Sequence, residues 1–364
     1  MTDAPLRFGW FIPTYGDSPR IGDNTDYRPP SLDMFVRVAR AAEDAGFDYA
    51  LVPVADVCWE AWISCSMISA QTSKIKMLVA ARPGLIQPTL TAKMVSTFDQ
   101  LSQGRVYINL IAGGGPAEMA ADGVFYNHDE RYAAMDETVT IMKRSWTEKD
   151  PVTFEGDFFR VENAVVRPRP YQQPHPPFFL GGISPAAQEV GGKHASVYLF
   201  WGDVPERIAG DIESVRQAAV RHGREHELRY GMRLQVLVRE TEEEAWAAAD
   251  ALIAPEVERL KQRRMAGMGA ESHADARMRE MAEKTAGNNY RIAPHLWAGI
   301  TAVRHGAGVM VVGNPQQVAE TLEEFVQLGC RDFCLSGYPH DEEAERFGRL
   351  VMPYFPDRLE REVW

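Results

Sequence analysis

Positive charge is in short supply in this chain. Lys and Arg number 39 against 51 Asp and Glu, a net charge of −12. Gripping nucleic-acid phosphates without regard to sequence takes a basic face, so no nucleic-acid partner is expected. A small anionic substrate is still allowed, because a few local arginines suffice to hold one. Cysteine is scarce as well: Cys58, Cys65, Cys330 and Cys334 are all there are, with no CxxC pair. Their spacing fits no zinc motif, and sparse cysteine reads as reduced thiols in a cytosolic protein. No apolar run nears the roughly 18–20 residues that span a bilayer. Residues 1–13 lack the apolar stretch and small-residue cleavage site of a secretory leader. A soluble, cytoplasmic protein with no membrane partner is expected. GxGxxG and GxxxxGK are absent, which weakens a doubly wound nucleotide-binding sheet. HxH and HExxH are absent too, so no metal site is expected.

What is present is ordinary globular material. Hydrophobic residues at 45% and charged residues at 25% exclude disorder and a bare disulfide scaffold. Short apolar runs alternate with segments of helical period. Strands are expected at 8–12, 49–52, 76–81, 106–111, 178–180, 197–200, 230–238 and 332–336. Helices are expected at 32–45 (Ser31 as cap, Gly46 as stop), 61–72, 90–102, 131–146, 184–194, 205–222, 241–260 and 342–352. Residues 154–167 alternate around Glu155-Gly156-Asp157 as a β-hairpin outside the regular pattern. Residues 254–286, rich in Arg, Glu, Met and Ala, read as an insertion, either a lid or an extra surface helix.

Eight strand–helix repeats without a linker predict an α/β fold, a TIM (β/α)8 barrel with insertions, as a single domain over 1–364. The insertions fall at about 112–130, 150–176 and 254–300. Such a barrel builds its active site at the C-terminal strand ends. Those ends carry Pro13 to Asp17, Cys58, Arg82, Asn109 with Gly113 to Gly115, Gly181 to Ser184, Trp201, Arg233 with Gln235, and Ser336 to His340.

Arg233 and Gln235 are two apart and share one side of their strand. An arginine pointing into a barrel is costly unless it meets a carboxylate or an anionic ligand. Gly181-Gly182-Ile183-Ser184 leads into a helix, which is either a phosphate seat or a plain capped turn. His128, Arg131 and Tyr132, near the start of the fourth candidate helix, either share one presenting face or are a cap and a solvated pair. Trp10 and Trp62 read as core, whereas Trp201, at a strand end, could wall a pocket. Cys58 reads more readily as an inert thiol than as a nucleophile.

WFIPTYGDS, STFDQLSQGR, DGVFYNHDERY, QQPHPPFFLGGIS, YLFWGD, GMRLQVLVRETEEEAW, HLWAGITAVRHGAGVMVVGNP and SGYPH stand in the chain in that order. Together they resemble the bacterial alkanesulfonate monooxygenases of the luciferase-like flavin-dependent superfamily, over nearly the whole chain. The resemblance implies a luciferase-like barrel, a homodimer or homotetramer, and reduced FMN supplied by a separate NAD(P)H-dependent flavin reductase. With molecular oxygen as co-substrate, the enzyme would cleave the C–S bond of an organosulfonate, releasing sulfite and an aldehyde. The alternative is a luciferase-like monooxygenase or deazaflavin-dependent oxidoreductase acting on a substrate without a sulfonate.

The family's catalytic and substrate positions fall on Cys58, Trp201, Arg233, Gln235, Arg304, Tyr338 and His340. Its flavin contacts fall on Asn109, His128, Tyr132, Gly181, Gly182 and Ser184. The arginines would hold sulfonate and developing charge, and Tyr338 and His340 would move protons or support the base. The chain departs from the pattern at Tyr15 and Gln235, where the family has His, and at Asn24, where it has an acid. PVADVCWE also places Asp56 and Trp59 near the rim. Gln235 and Asn24 are expected to suit a bulkier or hydroxylated sulfonate, such as a sulfosugar.

Overall fold

The computed structural model describes residues 5–254, 272–356 and 358–359. The first half runs β1 (Arg7–Phe11), α1 (Leu32–Ala45), β2 (Tyr49–Val52), α2 (Ala61–Ser69), β3 (Lys76–Ala81), α3 (Pro88–Ser102) and β4 (Val106–Leu110). It continues through α4 (Pro116–Ala121), α5 (His128–Thr147), the β5 (Val152–Glu155) and β6 (Arg160–Ala164) hairpin, β7 (Phe178–Leu180) and α6 (Pro185–His194). Next come β8 (Val197–Trp201), α7 (Pro205–Arg221), β9 (Arg229–Val238), α8 (Glu242–Ile253) and α9 (His273–Thr285). The last stretch holds β10 (Arg291–Ala293), β11 (Leu296–Trp297), α10 (Gly299–Val303), β12 (Met310–Gly313), α11 (Pro315–Gln327), β13 (Cys330–Ser336) and α12 (His340–Leu350).

β1, β2, β3, β4, β7, β8, β9 and β13 pair in parallel in that order, and β13 closes on β1. The structure is therefore the expected eight-stranded TIM barrel. Among the described residues no helix is long and apolar enough to cross a membrane.

Local chemistry sets most element ends. Ser31 caps α1 through Met34 N–H, and Gly46 stops it in the left-handed region at φ 93°. Three helices begin two or three residues before the expected start. Pro88 takes the first turn of α3, Asn127 and Glu130 form a capping box before α5, and α12 starts at His340. The apolar period marks where a helix buries its face, whereas its first turn belongs to polar caps and proline. The helix expected to Thr72 ends at Ser69.

The path from β9 to β13 needs a larger correction. In place of one helix and an insertion it holds a second strand–helix unit, β12 and α11. Residues Met310–Gly313 pair with Gln235 to Val238, the distal half of β9, outside the closed ring. The helix expected over 241–260 ends at Ile253. Residues 255–271, which include the rest of that helix and the middle of the expected insertion, lie outside the described residues. The insertion's final part is α9.

Inward side chains stack in layers, as alternation along the strands requires. At the N-terminal end Asp332, fully buried, receives Arg7 Nε at 2.6 Å and Arg229 Nε at 2.8 Å. The middle layer is aromatic: Tyr49, Tyr107 and Phe179 have ring centroids 5.4 to 6.1 Å apart. The upper layer, at the C-terminal end, carries the arginine described below.

One stability effect follows from the α6 end. His194 is 4% exposed and its Nε2 lies 2.5 Å from Asp136 Oδ1. Burial outweighs that carboxylate and pushes the imidazole down to about 4. An unfolded histidine takes its proton near pH 6.5, so the neutral folded form stabilises above that pH and loses ground as pH falls toward 4. His175, also pushed to about 4 by burial, acts in the same direction. Stability is expected to drop by about 3 kcal/mol per histidine, several kcal/mol in all, between pH 7 and pH 4. Urea midpoints across that range test this, and His194→Gln should flatten the slope.

Candidate active site

β9 turns Arg233 and Gln235 into the barrel at its C-terminal end, opposite Cys334 and Ser336 of β13. Arg233 is buried. Its guanidinium donates to Leu234 O at 2.8 Å, Cys334 O at 3.4 Å and Ser336 Oγ at 3.0 Å, and lies 4.8 Å from the centre of the Phe11 ring. No carboxylate among the described residues pairs with it. Burial, together with the like charge of Arg304, pulls its pKa below the ordinary arginine value. The five-donor fork keeps capacity beyond these three bonds.

Gln235 differs from its expected role. It is fully buried, its Nε2 donates to Ala307 O at 3.0 Å, and its Oε1 accepts from Ser336 Oγ at 2.5 Å. Both ends of the amide are bonded and the residue is buried, so it ties β9 and β13 to the 307 loop. Asn24 is exposed in the β1–α1 loop.

Arg304, half-buried after α10, reaches the same rim. Its guanidinium donates to the Tyr338 hydroxyl, to the Tyr15 hydroxyl at 3.4 Å, and through Nε to His305 O at 3.2 Å. Burial acts against its charge, but Tyr338 and Tyr15 outweigh it and hold the pKa above the ordinary value. It too lacks a carboxylate partner among the described residues. Arg82, another rim arginine, is different: Glu118 and Asp122, from and beside α4, neutralise it.

His340 is 1% exposed. Its Nδ1–H donates to Asp17 Oδ1 at 2.8 Å, its backbone N–H donates to Asp17 Oδ2 at 2.8 Å, and Trp10 Nε1 donates to its carbonyl at 2.9 Å. Nε2 is buried with no hydrogen-bond partner. The ring lies edge-on to Tyr338 at 5.0 Å and 5.7 Å from Phe11. The acids after His340 are held by arginines: Asp341 by Arg28 and Arg37, and Glu343 by Arg239 and Arg346.

Trp201 ends β8, half-buried, in register with Arg233. Cys58 is half-buried after β2, and burial pushes its thiol above the ordinary value. No thiolate nucleophile is prepared there at neutral pH.

The flavin candidates line the neighbouring arc of the rim. Asn109 is a buried inward residue of β4, in register with Phe179. Gly182 sits at φ 150°, and its carbonyl accepts from the Tyr198 hydroxyl at 2.9 Å. A Cβ there would lie 2.7 Å from the Ala187 Cβ and 3.3 Å from the Tyr132 hydroxyl, and one at Gly181 would lie 2.4 Å from Leu199 O. Ser184, buried, caps α6 by accepting from Ala187 N–H at 3.2 Å. Tyr132 packs 5.1 Å from the His128 ring, and burial pushes its phenol to about 12 against a hydrogen bond with Ser184. The turn, Ser184 and Tyr132, beside the start of α6, make a set suited to a phosphate. His128 stacks on His273 of α9 at 5.6 Å, so α9 borders this arc. An open apolar groove of about 670 Å³ between α2 and α3 contains none of these residues.

Sequence reasoning left three site residues without a role: Asp17, Phe11 and Ser336. Asp17 lies 323 residues from His340, and no local pattern pairs them. Closure of β13 on β1 does.

The fold is shared widely among solved structures. DmoA from Hyphomicrobium sulfonivorans superposes with a TM-score of 0.79 at 18% identity, covering 99% of this chain and 90% of that one. EDTA monooxygenase from Chelativorans sp. BNC1 gives 0.77 at 15%, covering 97% and 94%. A long-chain alkane monooxygenase gives 0.76 at 18%, covering 100% and 93%. At such identities the likeness shows the fold alone. The family model described as luciferase-like monooxygenase matches residues 6–332, and on that match the chain belongs to the luciferase-like monooxygenase family.

Proposed function

We propose that this protein is a reduced-FMN-dependent, two-component monooxygenase that cleaves the C–S bond of an organosulfonate. One observation carries the reading. Two guanidiniums, Arg233 and Arg304, meet at the rim with no carboxylate partner among the described residues. A buried charge of this kind is stabilised by an anionic ligand, and the planar fork matches a sulfonate's oxygens.

FMN would sit on the adjacent arc. Gly181, Gly182, Ser184 and Tyr132 would take its phosphate, with Asn109 and His128 beside the ring system. Reduced FMN, delivered by an NAD(P)H-dependent reductase, supplies the two electrons and activates oxygen. The overall change balances: one oxygen atom enters the aldehyde and the other leaves as water. The C–S bond breaks, and sulfite leaves with a proton.

This chain's own part is to bind and orient. Arg233 and Arg304 hold the anion, and the Tyr338 hydroxyl stands beside Arg304 as a proton donor or acceptor. Phe11 and Trp201 wall the pocket. Cys58, with its raised pKa, acts as wall rather than nucleophile. The same reading includes a cytoplasmic homodimer or homotetramer and a single domain over 1–364. A single unfolding transition in calorimetry and the mass from light scattering check the last two.

The test is sulfite release over a panel of alkyl, aryl and sugar sulfonates. Release is expected only with reductase, NAD(P)H, FMN and oxygen together, and no release from any sulfonate overturns the proposal. Gly182→Ala tests the flavin seat. A side chain at this backbone angle and contact distance should weaken reduced-FMN binding about tenfold, read by anaerobic fluorescence titration. Unchanged affinity would move the phosphate elsewhere.

A further inference from the structure

The two loops that hold Arg304 are also joined to each other. Tyr15 and Tyr338 give their hydroxyls to Arg304. Two residues beyond each tyrosine stand Asp17 and His340, and these meet in a two-point bond, Nδ1–H to Oδ1 and backbone N–H to Oδ2, both at 2.8 Å. Both side chains are buried, 3% and 1% exposed. The bond therefore fixes the spacing of the loops after β1 and β13 at the point where they present their tyrosines.

We infer that Asp17 and His340 are a positioning pair for Arg304, acting through Tyr15 and Tyr338. Three features support this role. The imidazole is fully buried, and its ring packs on Tyr338 itself, so it can set that phenol's angle. The carboxylate is spent on His340 from two directions and on Ser18 N–H at 2.9 Å, which leaves it no free oxygen for a ligand. The β1–α1 loop is also braced from outside. Tyr27 donates its hydroxyl to Tyr15 O at 2.9 Å, and Arg28 binds Asp341, the residue after His340. The whole assembly converges on a guanidinium that comes from a different part of the chain. The inference rests on the proposed function only in taking Arg304 as an anion-holding group.

The experiment reads Arg304 directly. Phenylglyoxal labelling of the purified protein, followed by peptide mass spectrometry, gives the rate at Arg304 relative to the surface residue Arg20. In Asp17→Ala both bonds to His340 are lost and the seat loosens, and labelling at Arg304 should rise about fivefold. His340→Ala should match it. His340→Asn offers an amide N–H where Nδ1–H stood and should restore the slow rate, whereas a purely space-filling histidine would not be rescued. If Asp17→Ala fails to fold, Asp17→Asn replaces it: its amide cannot accept both bonds, and a raised rate is again expected. Arg304 labelling that is unchanged in a folded Asp17 variant, or fast in His340→Asn, overturns the inference. With a sulfonate substrate in hand, Asp17→Ala should raise KM about fivefold and change kcat less. If no sulfonate is turned over, the labelling result stands by itself, so the two ideas fail separately.

Discussion

Arg233→Met is expected to lower kcat/KM for sulfite release by about 10²–10³-fold, the usual loss when one preorganised donor is removed from developing charge. The same enzyme should melt no lower than the wild type. Arg233 is a buried cation with no carboxylate partner among the described residues, and burial already pulls its pKa down. Methionine keeps much of its length, fills the space against Phe11 and removes the uncompensated charge. The bonds lost to Leu234 O, Cys334 O and Ser336 Oγ offset part of that gain. Arg304→Ala should abolish turnover likewise, since it strips the second guanidinium from the rim. Activity lost together with a raised or equal melting temperature is the signature of a charge kept for ligand binding at the expense of stability. Near-normal turnover in both variants would refute the sulfonate site, and a melting temperature far below wild type would mean that Arg233 is structural.

The opposite outcome is expected at the other end of the same barrel. Asp332→Ala should destabilise the protein by about 3–5 kcal/mol, because it breaks a buried ion pair and leaves the cations behind. Asp332 is fully buried and holds Arg7 at 2.6 Å and Arg229 at 2.8 Å. Arg7 is itself buried, so its desolvation is less well compensated once the carboxylate is gone. The folded state with Asp332 keeps the Arg7 pKa above the ordinary value even though burial opposes it. Urea unfolding measures the change, and a shift below about 1 kcal/mol would show that Arg7 finds water or another partner at the barrel floor. The two variants together separate an arginine paired for stability from one left open for an anion in the same barrel.

The eight barrel strands were legible because each carries an apolar run bounded by turn residues. VYINL of β4 and FFL of β7 need no partner to be read as strands. Helix α1 was legible to the residue, since Ser31 and Gly46 mark its ends locally. The unit of β12 and α11 was hidden for a different reason. Its MVVG run is as apolar as the others, but β12 pairs with the distal half of β9 outside the ring, and a count of eight was already complete. At the site, the side shared by Arg233 and Gln235 followed from alternation, while Gln235's engagement with Ala307 and Ser336 did not.

The amino-acid sequence by itself determined the class of fold, the end of the barrel at which polar groups collect, and the residues eligible for an anion and a phosphate. These are local properties: period, caps, glycine turns, and polar residues placed just beyond apolar runs. Only the tertiary structure decided which arginines lack a carboxylate partner among the described residues. Arg7, Arg82, Arg233 and Arg304 are alike as residues. The first two meet Asp332, Glu118 and Asp122, whereas Arg233 and Arg304 meet carbonyls and hydroxyls. A charge takes its role from the groups within a few ångströms of it, and most of those groups come from strands and loops 34 to 325 residues away that only the folded barrel brings together.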